Sequence, residues 1–280
     1  MSYKGIDVSE FQGTINWKKA SEEIDFVIVR AGYDGYVDPF WKQNVNNAKA
    51  NGLHVGAYWF MYFLDEEEAK RNADEFINQL RKFDTYIDMP VALDVEEDTY
   101  RYMRQMGITP SKSLITKLVN TFCKRVEDAG YYTMVYSNLN GFNNYIGDVS
   151  KYDVWLAQID SREPSKNCGI WQYSFNGYID GINGKVDLDV AFLNYPKIIK
   201  ENNLNHLGDT VTPEKPKEVQ TRIKVGDIVK VIKPIIYGTN KRFNLWYENY
   251  NVLEVVGDRA VIGKGKAITA PIDVKYLRKI

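Results

Sequence analysis

The sequence predicts an α/β protein, a modified (β/α) barrel with fewer helices in its second half, followed by a small all-β barrel. Three observations lead there. Eight short apolar runs recur through the first two thirds of the chain, with helical stretches between several of them. Convincing helices thin out beyond about residue 138. A polar stretch with two prolines then separates these runs from a segment of closely spaced short strands. Continuous apolar runs of this length suit strands buried on both faces, and alternation with helices suits a barrel. The 280 residues fit one large and one small domain. The expected boundaries are 1–202 for the barrel, 203–221 for a semi-rigid linker and 222–280 for the small domain. An open doubly wound sheet is the alternative, and the lack of a glycine-rich phosphate loop weighs against it.

In chain order, the runs are Tyr3–Val8, Phe26–Ala31, His54–Phe60, Pro90–Glu96, Tyr132–Ser137, Val154–Gln158, Ile170–Tyr173 and Lys185–Ala191. Asp65 followed by Glu66, Glu67 and Glu68 gives a cap and acidic residues at a helix start. Ala69, Ala73, Phe76, Ile77, Leu80 and Phe83 then recur at spacings of three and four. A second helix is expected to open at Thr109-Pro110, turn Leu114, Ile115, Leu118, Val119, Phe122, Cys123 and Val126 inward, and stop at Gly130. In the small domain the strand runs are Ile228–Ile232, Tyr250–Val256, Arg259–Ile262 and Val274–Leu277, spaced as in a small barrel.

Composition narrows the function. The net charge of −1 gives no nucleic-acid signature. It hides a split, because residues 222–280 hold 12 Lys and Arg against 5 Asp and Glu, leaving the rest acidic. A basic small domain fits an anionic partner, and it equally fits a solvated surface of no special use. Raised salt would weaken binding to such a partner. Aromatics make up 14% of the chain, which suits both core filling and stacking on sugar faces. Two cysteines are no disulfide framework, and Cys123 reads as core. No run is long and apolar enough to insert in a membrane. The N-terminus has no apolar signal-peptide core, so the expectation is a protein made in the cytoplasm that acts on its target elsewhere.

The sharpest local feature is Pro90-Val-Ala-Leu-Asp94-Val-Glu96-Glu97, an apolar run ending in two carboxylates two residues apart. Positions i and i+2 of a strand face the same way, roughly 6.5–7 Å apart along the chain. Both would enter one cavity at the strand's carboxyl end, where barrel enzymes place catalysis. Two acids in a poorly solvated cavity cannot both ionise cheaply, so one keeps a proton and serves as a general acid, as glycoside cleavage needs. A strand-end Asp capping a loop beside an exposed Glu fits the same residues. Asp7 ends the first run, and Asp187 and Asp189 lie in the last. First and last strands adjoin in a closed barrel, so Asp7, Asp94, Glu96 and Asp187 are placed in one pocket. His54 and His206 stand at no metal-ligand spacing, and His54 reads as structural. No cofactor is expected, and an all-oxygen calcium site stays open.

These motifs resemble the glycoside hydrolase family 25 lysozymes, the Chalaropsis-type muramidases. The matching pieces are Gly5-Ile-Asp7-Val-Ser9-Glu-Phe-Gln12-Gly13, Phe26-Val-Ile-Val-Arg30-Ala-Gly32, Gly56-Ala-Tyr58-Trp-Phe60, Ala92-Leu-Asp94-Val-Glu96, Val135-Tyr136-Ser137-Asn138, Trp155-Leu-Ala157, Trp171-Gln172-Tyr173 and Val186-Asp187-Leu. The resemblance implies a modified barrel that cuts the β-1,4 bond between N-acetylmuramic acid and N-acetylglucosamine of bacterial peptidoglycan. It implies Glu96 as general acid/base, Asp94 as its partner, and Asp7 and Asp187 as further acids. Tyr58, Tyr136, Gln172, Trp155 and Trp171 would line the substrate pocket. The family often has His where Trp59 stands, so no catalytic His is available there. Residues 222–280 resemble bacterial SH3-like wall-binding modules at Val225-Gly-Asp227-Ile-Val and Pro271-Ile-Asp-Val-Lys-Tyr276-Leu. Trp246, Tyr247, Tyr250 and Phe243 are their candidate contacts, or else the core of a tiny barrel. The pairing of a cutting and a binding domain resembles bacteriophage endolysins, with a bacterial autolysin as the alternative. Another N-acetylhexosaminidase and a non-catalytic wall-binding protein are the competing functions.

Overall fold

The computed structural model describes residues 2–159, 161–207, 223–239, 241–265 and 267–280. They fall into two compact units, one ending at Thr210 and one running from Val211 to the end.

The first unit is built on strands β1 (Tyr3–Val8), β2 (Phe26–Tyr33), β3 (Tyr36–Val37), β4 (His54–Phe60), β5 (Ile87–Asp94), β6 (Thr133–Asn138), β7 (Asp153–Ala157), β8 (Ile170–Gly177) and β9 (Val186–Ala191). All eight apolar runs form strands. β1 pairs with both β2 and β9, which closes the sheet into a ring, and β3 hangs on β2 as an added hairpin strand. The ring is parallel from β1 through β2 and β4 to β8. β9 departs from the parallel expectation and runs antiparallel to both β8 and β1. β8 and β9 form an extended hairpin, so no crossover helix is needed between them.

Helices α1 (Trp17–Ala20), α2 (Trp41–Ala50), α3 (Glu66–Leu80), α4 (Glu97–Gln105), α5 (Lys112–Asp128) and α6 (Tyr195–Glu201) complete the unit. Five of the six precede β6, which matches the expected thinning of helices. Asp65 caps α3 by accepting from Glu68 N–H at 2.8 Å. α5 begins later than expected. Ser111, not Thr109, is its cap, accepting from Leu114 N–H at 3.2 Å. The proline before the cap lies outside the helix, where its extended-chain preference fits. Gly130 ends α5 with a positive φ of 92°, a conformation that favours glycine.

Strand alternation sorts the side chains into two layers. Val27, Val29, Val55, Ala57, Val91, Leu93 and Val135 face the helices, where Phe76, Leu118 and Phe122 cover them. Phe26, Ile28, Met134, Trp155, Ile170 and Ala191 fill the barrel interior. Gly5 is required here because a Cβ would stand 2.3 Å from the Phe26 ring.

The tail after α6 corrects the linker boundary. Asn205 is fully buried; its amide donates to the Ile87 and Met89 carbonyls at 3.1 and 3.0 Å and accepts from Tyr132 N–H at 2.7 Å. This one side chain replaces a missing rung between β5 and β6, satisfying backbone groups that burial would otherwise leave unpaired. Residues 203–207 therefore belong to the barrel unit. The remainder of the expected linker lies outside the described residues.

The second unit is a five-stranded antiparallel sheet of β10 (Ile228–Val231), β11 (Tyr250–Val256), β12 (Arg259–Lys264), β13 (Ala267–Asp273) and β14 (Leu277–Lys279), in the order β13-β12-β11-β10-β14. Val229, Tyr250, Val252, Ile262 and Ile272 form its core. β13 was not expected, because Pro271 interrupts it. It is an edge strand, where a missing N–H costs no ladder bond. The expected strand 274–277 is instead a 3-10 turn, Val274–Tyr276, leading into β14.

Candidate active site

The inward positions at the carboxyl ends of the parallel strands carry polar groups instead of the apolar ones below them. Asp7 is the last residue but one of β1, Arg30 lies in the second half of β2, Tyr58 in β4, Asp94 at the end of β5, Tyr136 in β6 and Gln172 in β8. Asp187 joins them from the start of β9 because that strand is reversed, and the register sets it directly opposite Asp7. Had β9 run parallel, its second residue would lie at the other end of the barrel.

Asp94 is 5% exposed, and Glu96 is half-buried just beyond the strand, at the N-cap of α4. The Glu96 N–H is taken by Thr99 Oγ1 at 3.3 Å, which fixes the backbone of the turn. The two carboxyls act directly on each other, Asp94 from the last residue of β5 and Glu96 from where the chain turns into α4. Asp94 Oδ1 is buried and receives no donor from the described protein groups. Two interacting acids in a buried site cannot both ionise cheaply. Burial, then Glu96 and Asp7, hold the Asp94 carboxyl well above its usual range. Burial raises Glu96 as well, with Asp98 and Asp187 adding to the shift and the Asp94 bond opposing it.

Across the mouth, Tyr136 O–H donates to Gln172 Oε1 at 2.7 Å, and Gln172 Nε2 donates to Asp7 Oδ2 at 2.6 Å. Burial, then the charges of Asp189 and Asp187, raise Asp7 strongly. Burial pushes Asp187 up to about 6. Burial and the adjacent acids also keep the Tyr58 and Tyr136 phenols neutral.

Of the pocket-lining candidates, Tyr58, Tyr136 and Gln172 stand in the mouth. Trp155 does not open to it. That ring is 2% exposed, stacks edge-on beneath Tyr58 and Tyr136, and supports them from below. Trp171 alternates with the inward Gln172, packs against the outer core and donates to the Gln158 carbonyl at 2.8 Å. Trp59 likewise faces the helices, where it donates to Asn72 Oδ1 at 2.9 Å. A His in its place would not reach the mouth.

Two inward residues, both present in the motifs of the sequence, were not assigned to the pocket. Asp189 is fully buried one pleat below Asp187 on the same strand face, and i, i+2 spacing was the signal for it. Arg30 is the cation of the site, bound through Nε to Asp38 at 2.9 Å and through Nη2 to Glu10 at 2.6 Å. A charge at the inward end of the run Phe26, Ile28, Arg30 marked it. Among the described residues no group of three or more His, Cys, Asp or Glu is arranged to hold a metal ion. A separate cleft of about 460 Å³ involves Asp153, Lys166 and Phe192. Its one carboxylate already accepts from the Tyr195 and Tyr132 hydroxyls, whereas the mouth gathers several acids together.

In the second unit Trp246 is 72% exposed and Tyr247 is exposed, whereas Tyr250 is buried and Phe243 packs against the core. Tyr250 is thus not a surface contact. Its hydroxyl accepts from the backbone N–H groups of Trp246 and Tyr247 at 2.9 and 3.1 Å and holds that loop outward.

The sequence profile of the glycosyl hydrolases family 25 matches residues 6–182. The chain belongs to glycosyl hydrolase family 25. It is a glycoside hydrolase of the lysozyme type. An uncharacterized Escherichia coli protein, YegX, is 33% identical over 199 residues, which cover 66% of this chain and 68% of YegX. The autolytic lysozyme of Clostridium acetobutylicum is 26% identical over 192 residues, covering 66% of this chain and 55% of the relative. Among solved structures, the modular autolysin LytC of Streptococcus pneumoniae, determined with a synthetic peptidoglycan ligand, is 27% identical with a TM-score of 0.62. That match covers 68% of this chain and 47% of LytC, so the family 25 chain spans about half that protein's length.

Proposed function

We propose that this family 25 hydrolase is an N-acetylmuramidase, cutting the β-1,4 bond between N-acetylmuramic acid and N-acetylglucosamine in bacterial peptidoglycan. The observation that carries it is the Asp94–Glu96 pair at the carboxyl end of β5, both acids held above their usual range by burial inside a ring of further acids and phenols. Glu96 is the more exposed of the two and delivers the proton to the glycosidic oxygen. Asp94 is then left ionised beside the ring as positive charge develops on it.

The placement of the two carboxyls also bears on stereochemistry. The paired carboxyls of inverting enzymes and of nucleophile–acid enzymes flank the scissile bond from opposite sides. Asp94 and Glu96 instead leave one strand end two residues apart. In this reading attack on the anomeric carbon comes from the substrate's own N-acetyl oxygen, with Asp94 orienting that group, and configuration is retained. Product NMR showing inversion would remove this step.

The second unit serves as a wall-binding module of SH3-like type, with Trp246 and Tyr247 as its contact and its cations facing an anionic wall. The whole chain acts as an endolysin made in the host cytoplasm. Lysis from within only when a membrane-permeabilising protein is co-expressed is the expected behaviour, and lysis without one would count against that role.

The deciding experiment is digestion of purified peptidoglycan by the wild type and by Glu96→Gln, with new reducing ends identified by mass spectrometry. Muramic acid ends are expected, with a loss of about 10²–10⁴-fold in the variant, the usual contribution of a general acid. Glucosamine ends would make the enzyme a glucosaminidase. No release by either protein would leave a wall-binding protein.

A further inference from the structure

Asp189 lies behind the mouth, out of reach of any substrate, yet touches the reactive ring. Its Oδ1 accepts from Trp155 Nε1 at 2.8 Å. Its Oδ2 is buried and receives no donor from the described protein groups. The acid that acts on it is Asp7, which stands on the neighbouring strand opposite Asp187, two residues from Asp189, and whose own Oδ2 is already held by Gln172. Two acids that adjoin away from water retain one proton between them, because two adjacent buried charges cost too much.

We propose that Asp189 is a positioning residue that shares one proton with Asp7, so that a buried acid the substrate never meets fixes the orientation and charge of Asp7 at the mouth. The inference rests on the muramidase reading for its catalytic consequence, but the proton sharing itself does not depend on that reading.

The groups around Asp189 are few. From β1 comes Asp7, from β9 Asp187, from β7 the neutral Trp155, and from β8 Gln172 and the Tyr173 phenol. Among the described residues, the charges that act on it include no cation. Burial raises Asp189 to about 8, consistent with a proton retained at neutral pH. Hydrogen bonds run from both ends toward the two acids: Trp155 donates to Asp189, and Tyr136 donates to Gln172, which donates to Asp7. The chain spans three strands between β1 and Tyr136 on β6. An amide at position 189 could still accept from Trp155 and donate to Asp7. It could not share an acid proton or carry charge. Asp7 would then ionise at lower pH.

The test uses the full-length protein with carboxyl-labelled aspartate. The Asp7 carboxyl carbon is followed by NMR through a pH titration of the wild type and of Asp189→Asn. In the wild type, Asp7 and Asp189 are expected to titrate together, in two linked steps. In the variant, Asp7 should titrate in a single step about one unit or more lower, and the acid limb of the kcat profile should move down with it. A purely structural role would lower Tm or kcat without moving either. An Asp7 titration unchanged in the variant, or independent single steps in the wild type, would overturn the proposal. Failure of the wild type to cut peptidoglycan would sink the muramidase reading and leave the titration result standing.

Discussion

The mouth of this barrel gathers carboxyls that are expensive to ionise. Asp187 rises from 3.8 to about 6 and Asp189 from 3.8 to about 8, each through burial first. Between about pH 4 and pH 8 the folded state keeps protons that the unfolded chain has released. Stability therefore falls as pH rises through this window, and the full cost is present above pH 8. Groups with lowered values, such as Asp88 beside His54 and Lys49, act below that window, where falling pH removes their contribution. A thermal melt series of the protein should show the barrel's Tm decreasing from about pH 4 to about pH 8. A flat or rising Tm would mean these acids are ionised without penalty. At this scale the sequence was informative about identity and less so about direction. Tyr58, Tyr136 and Gln172 reach the mouth, while Trp155 lies beneath it and Trp171 faces outward.

At the scale of elements, the strands were legible because each is a continuous apolar run, and α3 was legible from its cap and its spacing. Boundaries were harder, since caps compete. Two candidate starts, Thr109 and Ser111, stand two residues apart, and only Ser111 meets a free helical N–H. Ser111→Ala should lower stability by about 1 kcal/mol, whereas Thr109→Ala should be close to neutral, as measured by urea unfolding. Equal losses from both would return the helix start to Thr109. β13 escaped notice because a proline argues against a strand unless the strand is known to be at an edge. Asn205 escaped because a polar run with prolines reads as linker, and nothing local reveals the unpaired carbonyls of Ile87 and Met89 that it satisfies.

For the whole molecule, each unit has its own core and its own exposed chemistry. Trp246 is held outward by hydrogen bonds from the backbone of its loop to buried Tyr250. Trp246→Ala should therefore leave stability and the hydrolysis of short soluble glycans unchanged. It should weaken retention on insoluble wall several-fold, and retention of the wild type should fall as salt rises. Retention equal to wild type in a pull-down would remove the wall-binding surface from this loop.

By itself the sequence determined the period of the strands, the order of the motifs and the set Asp7, Asp94, Glu96 and Asp187. Those features are written in residue type and spacing along one chain. Only the tertiary structure decided that β9 runs backward and so delivers Asp187 to the mouth. It also decided that Asp189 is buried behind the mouth and that burial raises the acids gathered there. These depend on strand direction and on burial. Both are settled by how distant segments pack around a closed ring, and no local window of residues contains them.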